Sequence, residues 1–463
     1  MDKKFFSIDL KPTQVLVLGF LAVILIGAFL LDLPISNKGG HSAGFIDALF
    51  TSTSAVCVTG LAVVNTRDQW TIFGKVVLLL LIQVGGLGIM TITTTMFILL
   101  GKKIRLKERL IIQEAMNQYT LAGMVRLIKN VFLGTILIEG IGAFLLSVKF
   151  VPEFGFLKGI WMGIFHSVSS FCNAGFDIVG YESLVPYVGS PIVNFTVMGL
   201  IILGGLGFTV WLDILRTIKE KFKYQYTLKR TFQKFTLHTK LVLVLTLSLI
   251  VFGFVFFFVL ESMNPNTLGP MGLKEKLLGS LFQSVTPRTA GYNTISQTGM
   301  TDASKFMTII LMFIGGSPAG TAGGIKTVTF GIIFLSVVSV IKAKDDVEAF
   351  GKRIAWDLVR KALTVAVISM TLIIAVTMVL TLTEVDEKFS FLDMLFETVS
   401  AFGTVGLTLG VTPYLTIVGK LIISLTMFIG RLGPITMLVA LTLKNKKNKN
   451  GTIKRPEEKV MVG

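Results

Sequence analysis

The sequence has few of the residues on which most enzymes and secreted domains depend. Its 463 residues include 2 cysteines and 3 histidines, and charged residues make up 15% of the chain. Cys57 and Cys172 cannot form a disulfide framework, and the histidines (His41, His166, His238) are too scattered to suggest a metal site. The sequence contains no hydrolytic or redox constellation, so it does not indicate an enzyme.

What the sequence does contain is hydrophobic residues, 52% of the chain, in long unbroken runs. That composition is typical of a membrane protein with several spans, and it overrules the roughly three soluble domains that the length alone would suggest. The first run, residues 15–33, is longer than the signal-peptide core of about 7–15 residues, and no cleavage site follows it. We therefore expect a retained spanning helix there.

One short stretch occurs four times along the chain, as FTSTSAVCVTGL, FHSVSSFCNAGF, FQSVTPRTAGY and FETVSAFGTVGL. Each copy starts at a phenylalanine and leads through a polar patch to a glycine, and these glycines are 115, 116 and 115 residues apart. The third copy reaches its glycine after nine residues, and the others after ten. A period this regular indicates four copies of one structural unit. The starting phenylalanines are Phe50, Phe165, Phe282 and Phe396, and the glycines are Gly60, Gly175, Gly291 and Gly406.

Each unit is predicted to be a spanning helix, a loop that enters the membrane and returns, and a second spanning helix. The apolar part before each glycine, about 10–15 residues, is too short to cross a hydrocarbon core of roughly 30 Å. Non-helical backbone at that depth has to line water or be packed in protein. We therefore expect an all-α polytopic membrane protein with eight spans in a pseudo-fourfold arrangement around one central pore. The predicted units are residues 12–110, 111–220, 221–345 and 346–443, followed by a basic cytoplasmic tail at 444–463.

The expected bounds follow the hydrophobic runs. The expected spans are residues 15–33 and 72–100, 125–148 and 192–215, 241–260 and 306–341, and 362–382 and 415–443, with loops at 44–61, 159–176, 277–292 and 391–407. With both termini inside, 31 of the 44 Lys and Arg residues fall on one side, which is the positive-inside pattern. The net charge of +17 therefore does not require nucleic acid, and the four loops are expected on the outer face.

The four glycine stretches suit the coordination of a dehydrated monovalent cation. A ring of backbone carbonyls can replace the water around such an ion, and glycine tolerates the unusual dihedral angles that point carbonyls inward. The preceding short helix aims its negative end at the ion. An ordinary helix C-cap is the alternative for a single copy. The predicted filter is Val58, Thr59 and Gly60; Asn173, Ala174 and Gly175; Thr289, Ala290 and Gly291; Thr404, Val405 and Gly406.

The segments VTGL, NAGF, TAGY and TVGL, each between two predicted spans, resemble the Trk/Ktr/HKT superfamily of potassium transporters. The eight-span layout, TPRTAGYN and ETVSAFGTVGLT are most similar to the membrane subunit of the bacterial Ktr systems, over nearly the whole chain. The resemblance implies K⁺ selectivity, because all four filter positions are glycine. A serine at the first of these positions would imply sodium conduction. It also implies Na⁺ as an activator, no organic cofactor, a homodimer in the lipid of the plasma membrane, and a cytosolic nucleotide-binding regulatory ring of the KtrA/KtrC type.

The segment GGSPAGTAGG interrupts the second helix of the third unit. Five glycines and a proline in ten residues cannot continue an α-helix, and Ile325 between Gly324 and Lys326 excludes a phosphate-binding loop. We expect a mobile gate below the filter, matching the intramembrane loop of the family; a static kink is the alternative. The predicted gate is Gly315, Gly316, Ser317, Pro318, Ala319, Gly320, Thr321, Ala322, Gly323 and Gly324, together with Arg431.

Arg431 is the exception among four related phrases, LIQVGGLG, IILGGLG, MFIGGSPAG and MFIGRLGP. It takes the position that Gly86, Gly205 and Gly316 have in the other copies, and a guanidinium inside a membrane usually faces the protein interior or a cavity. We expect it beneath the filter as a positive barrier, bonded to carbonyls of the broken segment. The alternative is an ion pair with Glu397 or Glu139. For the glycine pairs in these phrases, including Gly85 and Gly204, the alternative interpretation is that glycine only lets helices pack closely.

Asp47 and Asp393 each precede their unit's phenylalanine by three residues. A carboxylate near a helix start favours capping, and attraction of cations to the outer mouth is the second interpretation. Two other classes of protein remain as rivals. A transporter with alternating access would show inverted repeats, whereas these units run parallel, and a membrane scaffold would not need four loops that end in glycine.

Overall fold

The computed structural model describes residues 12–99, 110, 124–180, 182–384 and 388–441, and these are mainly helical. The predicted basic tail at 444–463 and the basic segment 101–109 lie outside the described residues. The helices are α1 Pro12–Asp32, α2 Phe45–Val56, α3 Thr66–Gln69, α4 Ile72–Leu87, α5 Ile89–Leu99, α6 Met124–Phe154, α7 Phe156–Phe171, α8 Pro191–Leu206, α9 Phe208–Tyr224, α10 Leu228–Lys234, α11 Leu237–Glu261, α12 Leu273–Val285, α13 Asp302–Phe313, α14 Thr327–Ile341, α15 Trp356–Thr383, α16 Phe391–Gly403, α17 Ile417–Leu432 and α18 Pro434–Leu441. A short antiparallel hairpin joins β1 Val347–Ala349 to β2 Lys352–Ile354.

In the part of the chain that the structure describes, four helices are long and apolar enough to cross a membrane: α1, α6, α11 and α15. They coincide with the first span expected in each of the four units. Two further pairs, α8 with α9 and α17 with α18, pass the same test together but are bent by 98° and 96°. By length and composition, the described residues therefore contain four spans, or up to six if each bent pair counts as one.

The second helices of the units are not continuous. The prediction of unbroken helices over 72–100, 192–215 and 415–443 is wrong, because helices end at Gly88, Gly207 and Gly433. These glycines have φ angles of 81°, 90° and 86°, which an α-helix cannot contain. In the third unit the gap is longer. There α13 ends at Phe313 and α14 begins at Thr327, so residues 315–324 lie in non-helical chain.

A short helix precedes each of the four glycines, as the lengths of the apolar runs predict. These helices, α2, α7, α12 and α16, pack against the long helix before them, and the recurring phenylalanine of each is fully buried. The same hydrogen bond ties three of them to that long helix. It runs from a serine hydroxyl to a backbone carbonyl, in the pairs Ser52 to Ile24 (2.7 Å), Ser167 to Glu139 (2.6 Å) and Ser284 to Ile250 (2.6 Å).

Close packing explains the first glycine of three recurring phrases. A Cβ atom added to Gly85, Gly204 or Gly430 would lie 2.0 Å from the carbonyl oxygen at the end of a short helix. Each of those carbonyls belongs to the residue four positions before a repeat glycine. The packing interpretation of Gly85 and Gly204 is therefore confirmed. The carbonyls are those of Val56, Phe171 and Phe402, respectively.

We expect Gly204→Ala to destabilise the protein by about 3 kcal/mol or more, because its methyl group would overlap the Phe171 carbonyl. The matched control is Gly199→Ala in the same helix, where an added Cβ has no neighbour within 4 Å. That change should be neutral or stabilising by about 0.5–1 kcal/mol, through helix propensity. Thermal unfolding of the two purified variants in detergent measures the difference, and equal melting temperatures would contradict the packing argument.

Candidate functional site

The four repeat glycines come together in a closed ring, which we call the glycine ring. A Cβ added to Gly60 would lie 2.4 Å from the carbonyl oxygen of Ala174, and one added to Gly175 would lie 2.5 Å from that of Ala290. In the same way, a Cβ added to Gly291 would lie 2.4 Å from the carbonyl oxygen of Val405. One added to Gly406 would lie 2.1 Å from that of Thr59, which closes the ring. Each glycine thus faces the carbonyl that precedes the next glycine, in chain order. Four carbonyls from four distant segments are thereby brought together.

The backbone of the four loops has one repeated conformation. Positive φ occurs at the glycine and at the residue two positions before it: Val58 (58°), Asn173 (60°), Thr289 (67°) and Thr404 (51°). The residue between them, Thr59 in the first loop, does not have positive φ. Alternation of this kind turns successive carbonyls toward one side, the arrangement that a dehydrated cation requires. Positive φ is uncommon outside glycine, so its recurrence at four equivalent positions marks a specialised backbone.

Serine side chains hold two of these loops in place. The hydroxyl of Ser54 accepts a hydrogen bond from the Gly60 N–H at 3.0 Å, and the hydroxyl of Ser400 accepts one from the Gly406 N–H at 3.1 Å. These serines belong to the polar patches that recur in the sequence. With the N–H groups of Gly60 and Gly406 occupied by protein, the carbonyls of the two loops remain available to a ligand.

The missing residue of the third copy has a local effect on its loop. In the other loops the residue before the glycine donates its N–H to a carbonyl five positions back, as Ala174 does to Ser169 at 2.8 Å. In the third loop Ala290 donates to Thr286, four positions back, at 3.0 Å. One tighter turn therefore absorbs the deletion and leaves Gly291 in the ring.

An open cavity of about 560 Å³ ends on the glycine ring, and all four ring glycines line it. Its lining includes the carboxylates of Asp177 and Glu182, and among the described residues that line it there is no Lys or Arg. This contrasts with the net charge of +17 on the whole chain. A cleft lined by charge of one sign concentrates ions of the opposite sign, here cations.

The non-helical chain between α13 and α14, residues 314–326, is called the broken segment below. It is bound to the bend between α8 and α9. Ser317 N–H donates to the carbonyl of Gly205 at 2.8 Å, Thr321 N–H donates to that of Gly204 at 3.2 Å, and Phe208 N–H donates to that of Ala319 at 2.9 Å. A helix bend leaves backbone groups without partners, and the broken segment provides partners for them.

Arg431 connects the broken segment to the first predicted unit. Its guanidinium donates to the carbonyls of Thr321 and Gly85, and to that of Gly86 at 3.3 Å. The carboxylates considered as alternative partners have other contacts. Glu139 accepts from Gln83 at 3.2 Å, and Glu397 accepts from Thr412. The structure thus brings Arg431 to the predicted gate residues through carbonyls and not through an ion pair.

One residue of the predicted filter also contacts the broken segment directly. The hydroxyl of Thr321 donates to the side-chain oxygen of Asn173 at 3.0 Å. The amide of Asn173 in turn donates to the carbonyl of Arg288 at 3.1 Å and to the hydroxyl of Thr289 at 3.2 Å. Asn173, Thr289 and Thr321 are all fully buried. A continuous hydrogen-bonded chain therefore joins two of the predicted filter loops to the broken segment.

The remaining sequence-predicted residues have structural contacts. Asp393 forms a capping box with Ser390 at the start of α16, as the capping interpretation expects. Asp47 lies in the first turn of α2, but its carboxylate pairs with Lys420 of α17 at 2.6 Å. Cys57 and Cys172 are buried and unbonded to one another.

Comparison with known proteins identifies the fold and the family. The family model described as "TrkH: Cation transport protein" matches residues 10–451. The chain belongs to this TrkH family. It is 44% identical to the Ktr system potassium uptake protein B of Bacillus subtilis, over 100% of this chain and 99% of that protein. It is also 44% identical to the potassium/sodium uptake protein NtpJ of Enterococcus hirae, over 98% of each.

A solved structure agrees with the TrkH-family fold. The crystal structure of the potassium transporter TrkH from Vibrio parahaemolyticus matches with a TM-score of 0.72 at 17% identity, covering 96% of this chain and 86% of that one. The relatives are transport proteins and not enzymes, in agreement with the absence of a catalytic constellation from the sequence.

Sequence reasoning missed two features of this TrkH-family site. Asn173 was predicted as a filter residue, but its bond to Thr321 was not, because the two residues are 148 positions apart. Arg288 directly precedes a filter residue and is buried, with its guanidinium donating to the carbonyl of Thr246 at 3.1 Å. An arginine inside a loop that is predicted to enter the membrane is a signal that singles out such a residue.

Proposed function

We propose that this chain conducts K⁺ inward across the cell membrane, as the ion-conducting, channel-like subunit of a Ktr-type uptake system. The closed glycine ring carries the proposal. Four loops with one backbone conformation offer four carbonyls at the base of a cavity lined by carboxylates, and carbonyl rings of this kind replace the hydration shell of a potassium ion. The names of the relatives, potassium uptake and potassium/sodium uptake proteins, support the same ion.

The architecture proposed for this function is a set of four units around one central pore, with eight spans and both termini cytoplasmic. The repeat of 115, 116 and 115 residues and the order of contacts in the glycine ring support it. The twelve predicted residues, from Val58–Gly60 to Thr404–Gly406, would form the selectivity filter. A transporter built on inverted repeats is disfavoured by the same-sense order of the four loops.

The broken segment is proposed as the gate, with Arg431 holding it in place. Support comes from its position, hydrogen-bonded both to the α8–α9 bend and to Asn173 of the filter. Glycine-rich chain is conformationally permissive, which suits a segment that must change shape. The resemblance adds a homodimer and a cytosolic nucleotide-binding ring as regulator. The name of the Enterococcus hirae relative supports a role for Na⁺ in this transport.

Growth of a cell deficient in potassium uptake tests the function. In sub-millimolar K⁺, we expect the chain with its regulatory subunit to restore growth. Replacing each ring glycine in turn (Gly60→Ser, Gly175→Ser, Gly291→Ser, Gly406→Ser) should abolish rescue or admit Na⁺, because the new side chain displaces a coordinating carbonyl. Gly40→Ser is the matched control, since Gly40 also has positive φ (71°) but has no neighbour within 4 Å.

The two parts of the proposal fail separately in this experiment. If the wild-type protein reaches the membrane and does not support growth, potassium uptake is the wrong function. If it supports growth and the four ring variants grow like Gly40→Ser, the function stands and the assignment of the filter is wrong.

A further inference from the structure

Helix α9 has an orientation that sets it apart from the spanning helices. It starts directly after Gly207 and runs at 98° to α8, which is an apolar helix. If α8 runs across the membrane, a helix at a right angle to it lies along the membrane surface. The indole N–H of Trp211 donates to the carbonyl of Leu203 at 2.9 Å and so satisfies a backbone group at the end of α8.

The free face of α9 is apolar and bordered by positive charge. Leu215, Ile218 and Phe222 have exposed fractions of 63%, 40% and 78%. Their spacing of three and four residues puts them on one stripe of the helix. Lys219 and Lys223 border this stripe on one side and Lys221 on the other, while Arg216 pairs with Asp213 at 3.2 Å. An apolar stripe between lysines is the pattern of helices that lie in a membrane interface.

Positive charge dominates α9 and the short stretch of chain after it. Residues 208–234 contain seven Lys or Arg and two carboxylates, Asp213 and Glu220. Asp213 is buried and accepts a hydrogen bond from the Thr236 N–H at 2.9 Å, which fixes α9 to the start of α11. Four of the seven positive charges lie on α9 itself, which this bond holds to α11.

The N-terminal end of α9 is hydrogen-bonded to the broken segment. The first residue of α9, Phe208, donates its N–H to Ala319, and the preceding Gly204 and Gly205 accept bonds from Thr321 and Ser317. A Cβ added to Gly207 would lie 2.5 Å from the carbonyl of Pro318. A tilt of α9 cannot occur without disturbing these contacts.

We propose that α9 binds the headgroups of anionic phospholipids in the leaflet it lies on, and that this binding stabilises the broken segment in the position observed here. The apolar stripe would enter the headgroup and acyl boundary, while the flanking lysines reach the phosphates. The second half of the inference rests on the proposed function, since it requires the segment to be a gate; the first half does not. Taking the observed position of this segment as the closed one, anionic lipid would then lower the flux of K⁺.

A lipid surface fits this face better than a soluble protein does. The apolar stripe is narrow and bordered by long cationic side chains, and α9 follows a membrane helix without an intervening linker. An interface with a soluble protein would typically have a well-packed apolar core with few charges. Equal lipid retention by wild type and variants would instead favour a soluble protein as the partner of this face.

The test uses the purified full chain reconstituted in phosphatidylcholine vesicles with increasing phosphatidylglycerol. The double variant Lys219→Gln/Lys223→Gln removes two lysines beside the stripe. We expect the affinity for phosphatidylglycerol, measured by mass spectrometry of the lipid retained, to fall about 25-fold, at roughly fivefold per lysine. The control Lys342→Gln/Lys352→Gln removes the same charge at two other exposed sites and should retain the lipid as wild type does.

Flux measurements on the same vesicles test the link to the gate. Phosphatidylglycerol should lower K⁺ flux through wild type and the control, and leave the α9 variant unchanged. Equal lipid retention by all three proteins would overturn the proposal and would leave a soluble protein as the partner of this face. Weaker retention with an unchanged flux response would overturn only the link to the broken segment. A wild-type protein that carries no K⁺ in any lipid would refute the proposed function, while the retention data would still decide lipid binding.

Discussion

Gly406→Ala is expected to lower K⁺ uptake by about 100-fold, which is the largest effect among the ring variants. An added Cβ would lie 2.1 Å from the carbonyl oxygen of Thr59, the shortest such distance in the glycine ring. The Thr59 carbonyl would have to move, and overpacking of this kind costs about 3 kcal/mol in a site that cannot relax. Since the proposed filter coordinates the ion with all four carbonyls, the cost should fall on ion binding. Uptake by reconstituted vesicles with matched protein content measures the effect.

A nearby glycine provides a sharp control for this variant. Gly410 has a φ angle of 89° against 91° for Gly406, and it belongs to the same loop, but an added Cβ there has no neighbour within 4 Å. Both substitutions therefore place a side chain at nearly the same positive φ, and only Gly406→Ala pushes on a carbonyl. We expect Gly410→Ala to keep uptake within about twofold of wild type, as open sites usually do. Equal losses in the two variants would mean that backbone strain, and not the ring, sets conduction.

Arg431→Gln is expected to raise K⁺ flux about tenfold. The guanidinium holds the carbonyl of Thr321 in the broken segment to those of Gly85 and Gly86 on the opposite side. A hydrogen bond to a charged group is worth about 1.5–3 kcal/mol. Losing these contacts should shift the equilibrium of the broken segment away from its present position by about tenfold or more. The change also removes a positive charge from the proposed ion path. Flux through vesicles, with and without a K⁺ gradient, gives the measurement.

Arg431→Lys separates the two effects of the arginine. Lysine keeps the charge, but its single ammonium cannot bridge carbonyls on both sides as the planar guanidinium does. A flux that rises in both variants means that the bridge closes the path. A rise in Arg431→Gln alone means that the charge does so. Wild-type flux in both variants would contradict any role in gating and leave Arg431 with a structural one.

The repeat was readable from the sequence because local chemistry determines it. Each short helix needs a buried phenylalanine, a polar patch and a glycine, and those residues recur at a fixed spacing in the sequence. The structure buries all four phenylalanines and brings the four glycines into contact. The first long helix of each unit was equally accessible, since a run of about 20 apolar residues has few other uses.

The bends in the second helices were not readable in the same way. Gly88, Gly207 and Gly433 belong to glycine-rich phrases, and glycine is tolerated inside membrane helices as well as at their ends. What ends these helices is positive φ at one glycine of each phrase, and what stabilises the bend at Gly207 is the broken segment from another part of the chain. A window of sequence contains no information about that distant partner.

By itself, the sequence determined the membrane environment, the four copies and the identity of the residues in each loop, because hydrophobic length and glycine chemistry act locally. Tertiary structure alone decided which carbonyl each glycine faces, that Arg431 is bonded to carbonyls and not to Glu139 or Glu397, and that Thr321 contacts Asn173. The physical reason is the same in each case. Buried polar groups must find partners, and several partners of equal chemistry lie along the chain. Only the packing of the helices determines which of them comes within hydrogen-bonding distance.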